Sequence, residues 1–219
     1  MTSEKLAIDG GTPVRTKPFE PMWIFGDEER KQLMEVMDRA PQEWRQRYKV
    51  NEFANAFAER HDIEYAIPTD SGNGAVHTAV ATINPSPGDE IITTPISDVG
   101  TVLGIIAQNA IPIFADMDPD TFNISPEDIE RKITDRTCAI LIVHLFGNPC
   151  DMDEIMDISR RHGIPVIEDS SQAHLAEYKG KLVGTIGDIA AYSLGGKTLT
   201  TDQGGMVITN NRDLAARSV

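Results

Sequence analysis

Six short apolar runs, at 65–68, 90–94, 111–115, 139–143, 165–168 and 189–193, recur along the chain. Helical stretches at about 73–82, 99–109, 126–133 and 152–162 separate the first five. Runs this short and this apolar read as strands buried on both faces. Parallel strands need a crossover between them, and a helix supplies it, so the alternation predicts an α/β fold with a mostly parallel sheet sandwiched by helices. The later run "GGMVITN" (204–210) is a further strand that can run antiparallel.

Local punctuation supports these elements. "SPED" offers Ser125 as a helix N-cap, Pro126 at the first helical position and Asp128 three residues after the cap. "DMDE" repeats the pattern with Asp151 and Glu154, and Gly163 suits the end of that helix. Upstream, "DEERKQLMEVMDRA" (27–40) reads as a helix with Leu33, Val36 and Met37 on one face, and "VNEFANAFAERH" repeats this with Phe53, Ala54 and Phe57. Residues 1–26, rich in Gly and Pro, read as an extended arm, and 27–219 as one α/β domain without repeats or linkers.

Composition narrows the partners. The 219 residues carry 34 acidic and 20 basic side chains, a net charge of −14, which disfavours nucleic acid and anionic membranes. The N-terminus has no apolar core of a signal peptide and no stretch is long enough to span a bilayer, so a cytoplasmic protein is expected. Cys138 and Cys150 have no metal spacing; Cys138, within "TCAILIV", reads as a small buried hydrophobe, and no disulfide is expected.

In parallel α/β sheets, ligands collect at the carboxyl ends of strands and at helix N-termini. That rule selects five segments: "TDSGNGA", "TTPISD", "HLFGNP", "EDSSQAH" and "SLGGK". In "PTDSGNGAVHTAV" (68–80) a strand runs through small residues into a helix, so the amides near Asn73 and Gly74 can bind a phosphate, with Ser71 adding a hydroxyl. It is neither a Walker loop nor a complete G-x-G-x-x-G, and a turn that binds nothing is the plain alternative. Asp169, at the end of a central strand in "IPVIEDSSQAH", needs a partner. That partner is either a loop or cap hydrogen bond or a cationic ring nitrogen, with Gln172 close by. Lys197 alone of the eight lysines follows a buried strand, flanked by Gly195, Gly196, Thr198, Thr200 and Thr201; a solvent-facing lysine is its alternative. Together, a phosphate cradle, a strand-end carboxylate and a strand-end lysine are the three fixtures pyridoxal phosphate needs.

The order and spacing of "DSGNGAVHTAV", "NAIPIFADMDPDTFNI", "VHLFGNPCDMDEI", "IEDSSQAHLAEYKGKLVGTIGDIAAYSL" and "GKTLTTDQGGMVITN" resemble the DegT/DnrJ/StrS family of pyridoxal-phosphate-dependent sugar and cyclitol aminotransferases, over nearly the whole chain. The resemblance implies the large domain of an aspartate-aminotransferase-type (fold type I) enzyme, usually a homodimer with a shared active site. It implies Lys197 as the lysine linked to the cofactor and Asp169 as the partner of its ring nitrogen. Gln172 is expected beside the ring and its phenolic oxygen, and Asn73, Gly74 and Ser193 on the phosphate. The expected reaction moves an amino group from glutamate or glutamine to a keto-sugar or keto-cyclitol, as in aminoglycoside-type biosynthesis.

Four departures accompany the resemblance. "SLGGK" is one residue shorter than usual, Asn73 stands where Thr is common, and "PISDVG" offers no aromatic to stack on the ring, which leaves Asp98 or Val99 there. Family members also continue beyond this length, so the C-terminal small domain is expected to be missing from this chain. Rival readings are a dehydratase of the same family, whose members tend to have His in place of the lysine, and a non-catalytic relative. His77, His144 and His174 are expected to be structural hydrogen-bonders.

Overall fold

The computed structural model describes residues 5–19, 25–43, 47–196 and 199–219. Close contacts divide the chain into two compact units, Met1–Tyr48 and Lys49–Val219. Helix α1 (Asp27–Glu43) lies in the first unit, so the division falls after the boundary expected at 26/27. Its Leu33 and Met37 are 65% and 66% exposed, so the apolar face predicted there is open rather than buried.

The second unit is built on seven strands: β1 (Tyr65–Thr69), β2 (Glu90–Thr93), β3 (Ile111–Phe114), β4 (Thr137–Val143), β5 (Val166–Asp169), then, after a two-stranded hairpin of β6 (Glu177–Tyr178) and β7 (Lys181–Leu182), β8 (Ile189–Ser193) and β9 (Gly205–Thr209). Their order in the sheet is β1-β9-β8-β5-β4-β2-β3. The run from β8 to β3 is parallel throughout, and β9 alone runs antiparallel to both neighbours, β1 and β8.

Helices cover both faces: α2 (Tyr48–His61), α3 (Gly72–Ile83), α4 (Val99–Ala107), α5 (Pro126–Lys132), α6 (Met152–His162) and α7 (Arg212–Arg217). Alternate residues of a strand leave opposite faces, so β4 sends Leu141 and Val143 to one core and Ile140 and Ile142 to the other. The first core adds Ala75, Val76 and Ala79 of α3 and Ile105 of α4; the second adds Ile129 of α5 and Ile155 of α6. Each fully buried Val, Leu or Ile side chain contributes about 1.5–3 kcal/mol. Ala54 and Phe57 of α2 pack on Tyr192 and Met206, as the spacing of that helix predicts.

The caps divide. Ser125 Oγ accepts from the Asp128 amide at 3.2 Å, and Gly163 closes α6 with φ 67°. Asp151 begins α6 without capping it, because its carboxylate accepts from Tyr178 Oη at 2.7 Å instead. Both cysteines are free thiols. Cys138 is only half-buried, not the buried hydrophobe expected, whereas burial pushes the Cys150 thiol up to about 12. Among the described residues, no helix is long and apolar enough to cross a membrane, and no group of three or more His, Cys, Asp or Glu side chains could hold a metal ion.

Candidate active site

The carboxyl ends of β1, β5 and β8 surround a cavity of about 250 Å³, walled on the far side by the first turn of α4. Asn73, Asp98, Thr101, Asp169, Gln172 and Ser193 line it. The sequence rule for parallel sheets thus places the site, and each contributing segment follows a strand end.

The start of α3 forms one wall. Ser71, extended at φ −160°, caps the helix: its Oγ accepts from the Gly74 amide at 3.0 Å, and its own proton goes to Asp70 Oδ1 at 3.1 Å. Gly74, expected to offer its amide to a phosphate, therefore has that amide committed to the cap, and the Ser71 hydroxyl is committed with it. The amides of Gly72 and Asn73, in the first turn, have no acceptor within the helix. Gly72 is required by close approach, since a Cβ there would lie 2.4 Å from Ser193 Cβ. At Gly100 a Cβ would meet Asn73 Oδ1, the movable tip of a side chain, so the approach there is close without demanding glycine. At these two glycines α3, α4 and the end of β8 converge.

Asp169 is 5% exposed at the end of β5. Its Oδ2 accepts from Thr101 Oγ1 at 2.8 Å and its Oδ1 from the Ser171 amide at 3.2 Å. Gln172 Oε1 accepts from the Phe146 amide at 2.9 Å, which assigns its oxygen and leaves the NH2 group for another acceptor. Ser193 Oγ accepts from the Gly195 amide at 3.3 Å. Lys197 and Thr198 lie outside the described residues. On either side of them, Thr200 Oγ1 donates to Leu194 O at 2.8 Å and accepts from the Gly196 amide at 3.2 Å.

A profile of the DegT/DnrJ/EryC1/StrS aminotransferase family matches residues 24–219. The chain belongs to that family. A GDP-perosamine synthase from Escherichia coli O157:H7 is 43% identical over 169 residues, 77% of this chain and 46% of that protein. An L-glutamine:2-deoxy-scyllo-inosose aminotransferase from Streptomyces fradiae is 36% identical over 97% of this chain and 51% of its own length. The crystal structure of the aminotransferase from Psychrobacter cryohalolentis superposes with a TM-score of 0.83 at 39% identity, covering 92% of this chain and 51% of that one. The chain spans about half the length of the curated relatives it matches. Aminotransferases of this family depend on pyridoxal phosphate.

As the resemblance implied, the family fold is present, and the cavity brings Asp169, Gln172, Ser193 and the start of α3 together. The residues suit the cofactor: helix amides and a hydroxyl for a phosphate, a buried carboxylate for a cationic nitrogen, and an amide donor for a phenolic oxygen. Of the two candidates for the ring-stacking position, Asp98 lines the cavity, its Oδ1 also accepting from the Gly100 amide at 2.8 Å, whereas Val99 is 66% exposed. Among the described lining residues none is aromatic.

Two features escaped the sequence reading. Thr101 and Ser97 stand behind Asp169 (Ser97 Oγ to Thr101 Oγ1, 2.9 Å), and nothing local in "SDVGTV" marks that pairing across 68 residues. Glu168 was legible in principle, because consecutive acids on a buried strand face opposite sides and each needs partners. Fully buried, Glu168 accepts from the amides of Gly184 (2.6 Å), Ile186 (2.8 Å) and Gly187 (2.5 Å) and from His144 Nε2 (2.9 Å). His144 Nδ1 accepts from the Cys150 amide at 3.0 Å, so His144 is the neutral tautomer with its proton on Nε2. Burial pushes the Glu168 carboxyl up, but the His144 bond and the Gly187 and Gly184 amides outweigh it and hold the group below its ordinary value. His77 and His174 are hydrogen-bonded as well, to Gln108 Nε2 at 2.7 Å and Ser193 O at 2.9 Å.

Proposed function

We propose that this chain is the cofactor-binding part of a pyridoxal-phosphate-dependent aminotransferase that moves an amino group from glutamate or glutamine to a keto-sugar or keto-cyclitol. The observation that carries the proposal is a single cavity faced by the buried carboxylate of Asp169, the amide of Gln172, the hydroxyl of Ser193 and the first turn of α3. The acceptor and donor classes are supported by the relatives, one named for a perosamine sugar and one for glutamine and an inosose.

Bound pyridoxal phosphate would supply the electron sink that stabilises negative charge at the carbon losing a proton. In this reading Gly72 and Asn73 hold its phosphate through backbone amides and Ser193 through Oγ. Asp169 holds the proton on the ring nitrogen, and Gln172 Nε2 donates to the phenolic oxygen. Lys197 Nζ would anchor the cofactor and would move the substrate proton as base and acid. The protein works in the cytoplasm as a homodimer with a shared site.

Borohydride reduction of the protein with pyridoxal phosphate, followed by peptide mass mapping, tests the reading. One stable adduct on Lys197 is expected. An adduct spread over the other lysines would refute the assignment.

A further inference from the structure

We propose that Thr101 is a positioning residue for Asp169, the donor that fixes its carboxylate against the cofactor's ring nitrogen; this rests on the cofactor reading above. Thr101 is 1% exposed and Asp169 5%. A hydroxyl has one proton and a carboxylate has none, so the 2.8 Å contact has Thr101 Oγ1 donating to Asp169 Oδ2. Thr101 Oγ1 is then an acceptor toward Ser97, and the 2.9 Å contact between them has the serine donating. The protons therefore run one way, from Ser97 to Thr101 to Asp169, and Ser97 itself lines the cavity.

A buried helical threonine has a cheaper option, which is to donate to the carbonyl four residues back. Thr82 in α3 takes it, donating to Thr78 O at 2.7 Å. Thr101, in the first turn of α4 just after the Asp98 N-cap, has no helical carbonyl four residues back, and it donates across 68 residues of sequence to Asp169. Its bonds to Ser97 and Asp169, in the first turn of α4, hold the hydroxyl in place. Asn73 Oδ1 lies against Gly100, so that turn meets α3 where the phosphate cradle begins. The donor is thus registered to both ends of the proposed cofactor site.

The test uses the full-length protein and two probes: pyridoxal phosphate, and its analogue with a CH group in place of the ring nitrogen. Thr101→Val should weaken binding of pyridoxal phosphate ~10- to 100-fold, the range for a hydrogen bond to a charged group. It should leave binding of the analogue near that of the wild type, and Thr101→Ser should restore the wild-type pattern. Ser97→Ala should move the same way by a smaller factor, and it carries the test if Thr101→Val does not fold. Equal weakening of both probes, or no change in either, would overturn the inference and leave the cofactor reading intact. A wild-type protein that binds neither probe would overturn both.

Discussion

Successive side chains of a strand leave opposite faces of the sheet, so Glu168 and Asp169 divide the work of β5 between them. Asp169 looks into the cavity, while Glu168 is sealed on the other side by three amides and His144. Replacing Glu168 by Gln puts an NH2 group where donors converge. Leaving buried donors without an acceptor in this way costs about 1–3 kcal/mol, read as a fall in the denaturant midpoint. The pH dependence has a definite sign. The folded-state value of Glu168 is depressed, so its stabilisation is present above the unfolded value of about 4.3 and is lost as pH falls from there through the lower folded value. Midpoints measured across the acid range should therefore fall less steeply in Glu168→Gln than in the wild type. Parallel acid limbs would show that other carboxylates carry the effect.

The elements themselves were largely legible in the sequence. Ile189–Ser193 and Met152–His162 occur at the expected bounds, and the other parallel strands and crossover helices lie close to theirs, because runs of Ile and Val between caps leave little choice. What stayed hidden depends on distant partners. The Asp151 carboxylate serves Tyr178 rather than its own helix, and Phe146 takes a left-handed φ of 53° in a turn whose amide bonds to Gln172. In α3 the two levels meet, since the cap uses the very amide expected to bind a phosphate. Ser71→Asp separates the roles. Aspartate caps as well as serine, so thermal stability should stay within about 1 kcal/mol of the wild type. The added charge faces the first-turn amides, so retention of pyridoxal phosphate on dialysis should drop at least tenfold. Unchanged retention would place the phosphate elsewhere.

For the molecule as a whole, charge works against the proposed ligand. The chain carries a net charge of −14, and among the described residues lining the cavity there are two acids, Asp98 and Asp169, and neither Lys nor Arg. In the proposed site a phosphate would approach against that field and be held by amide and hydroxyl dipoles, which act only within the first turn of a helix. Attraction is thus short-ranged and repulsion long-ranged, and salt screens the long-ranged part more strongly. The association rate of pyridoxal phosphate should therefore rise with ionic strength, roughly two- to fivefold between about 10 and 150 mM salt, whereas the dissociation rate should change little. Stopped-flow absorbance on the wild-type protein separates the two rates. An association rate that falls with salt would mean that cationic side chains steer the cofactor in, and the dipole account of this site would be wrong.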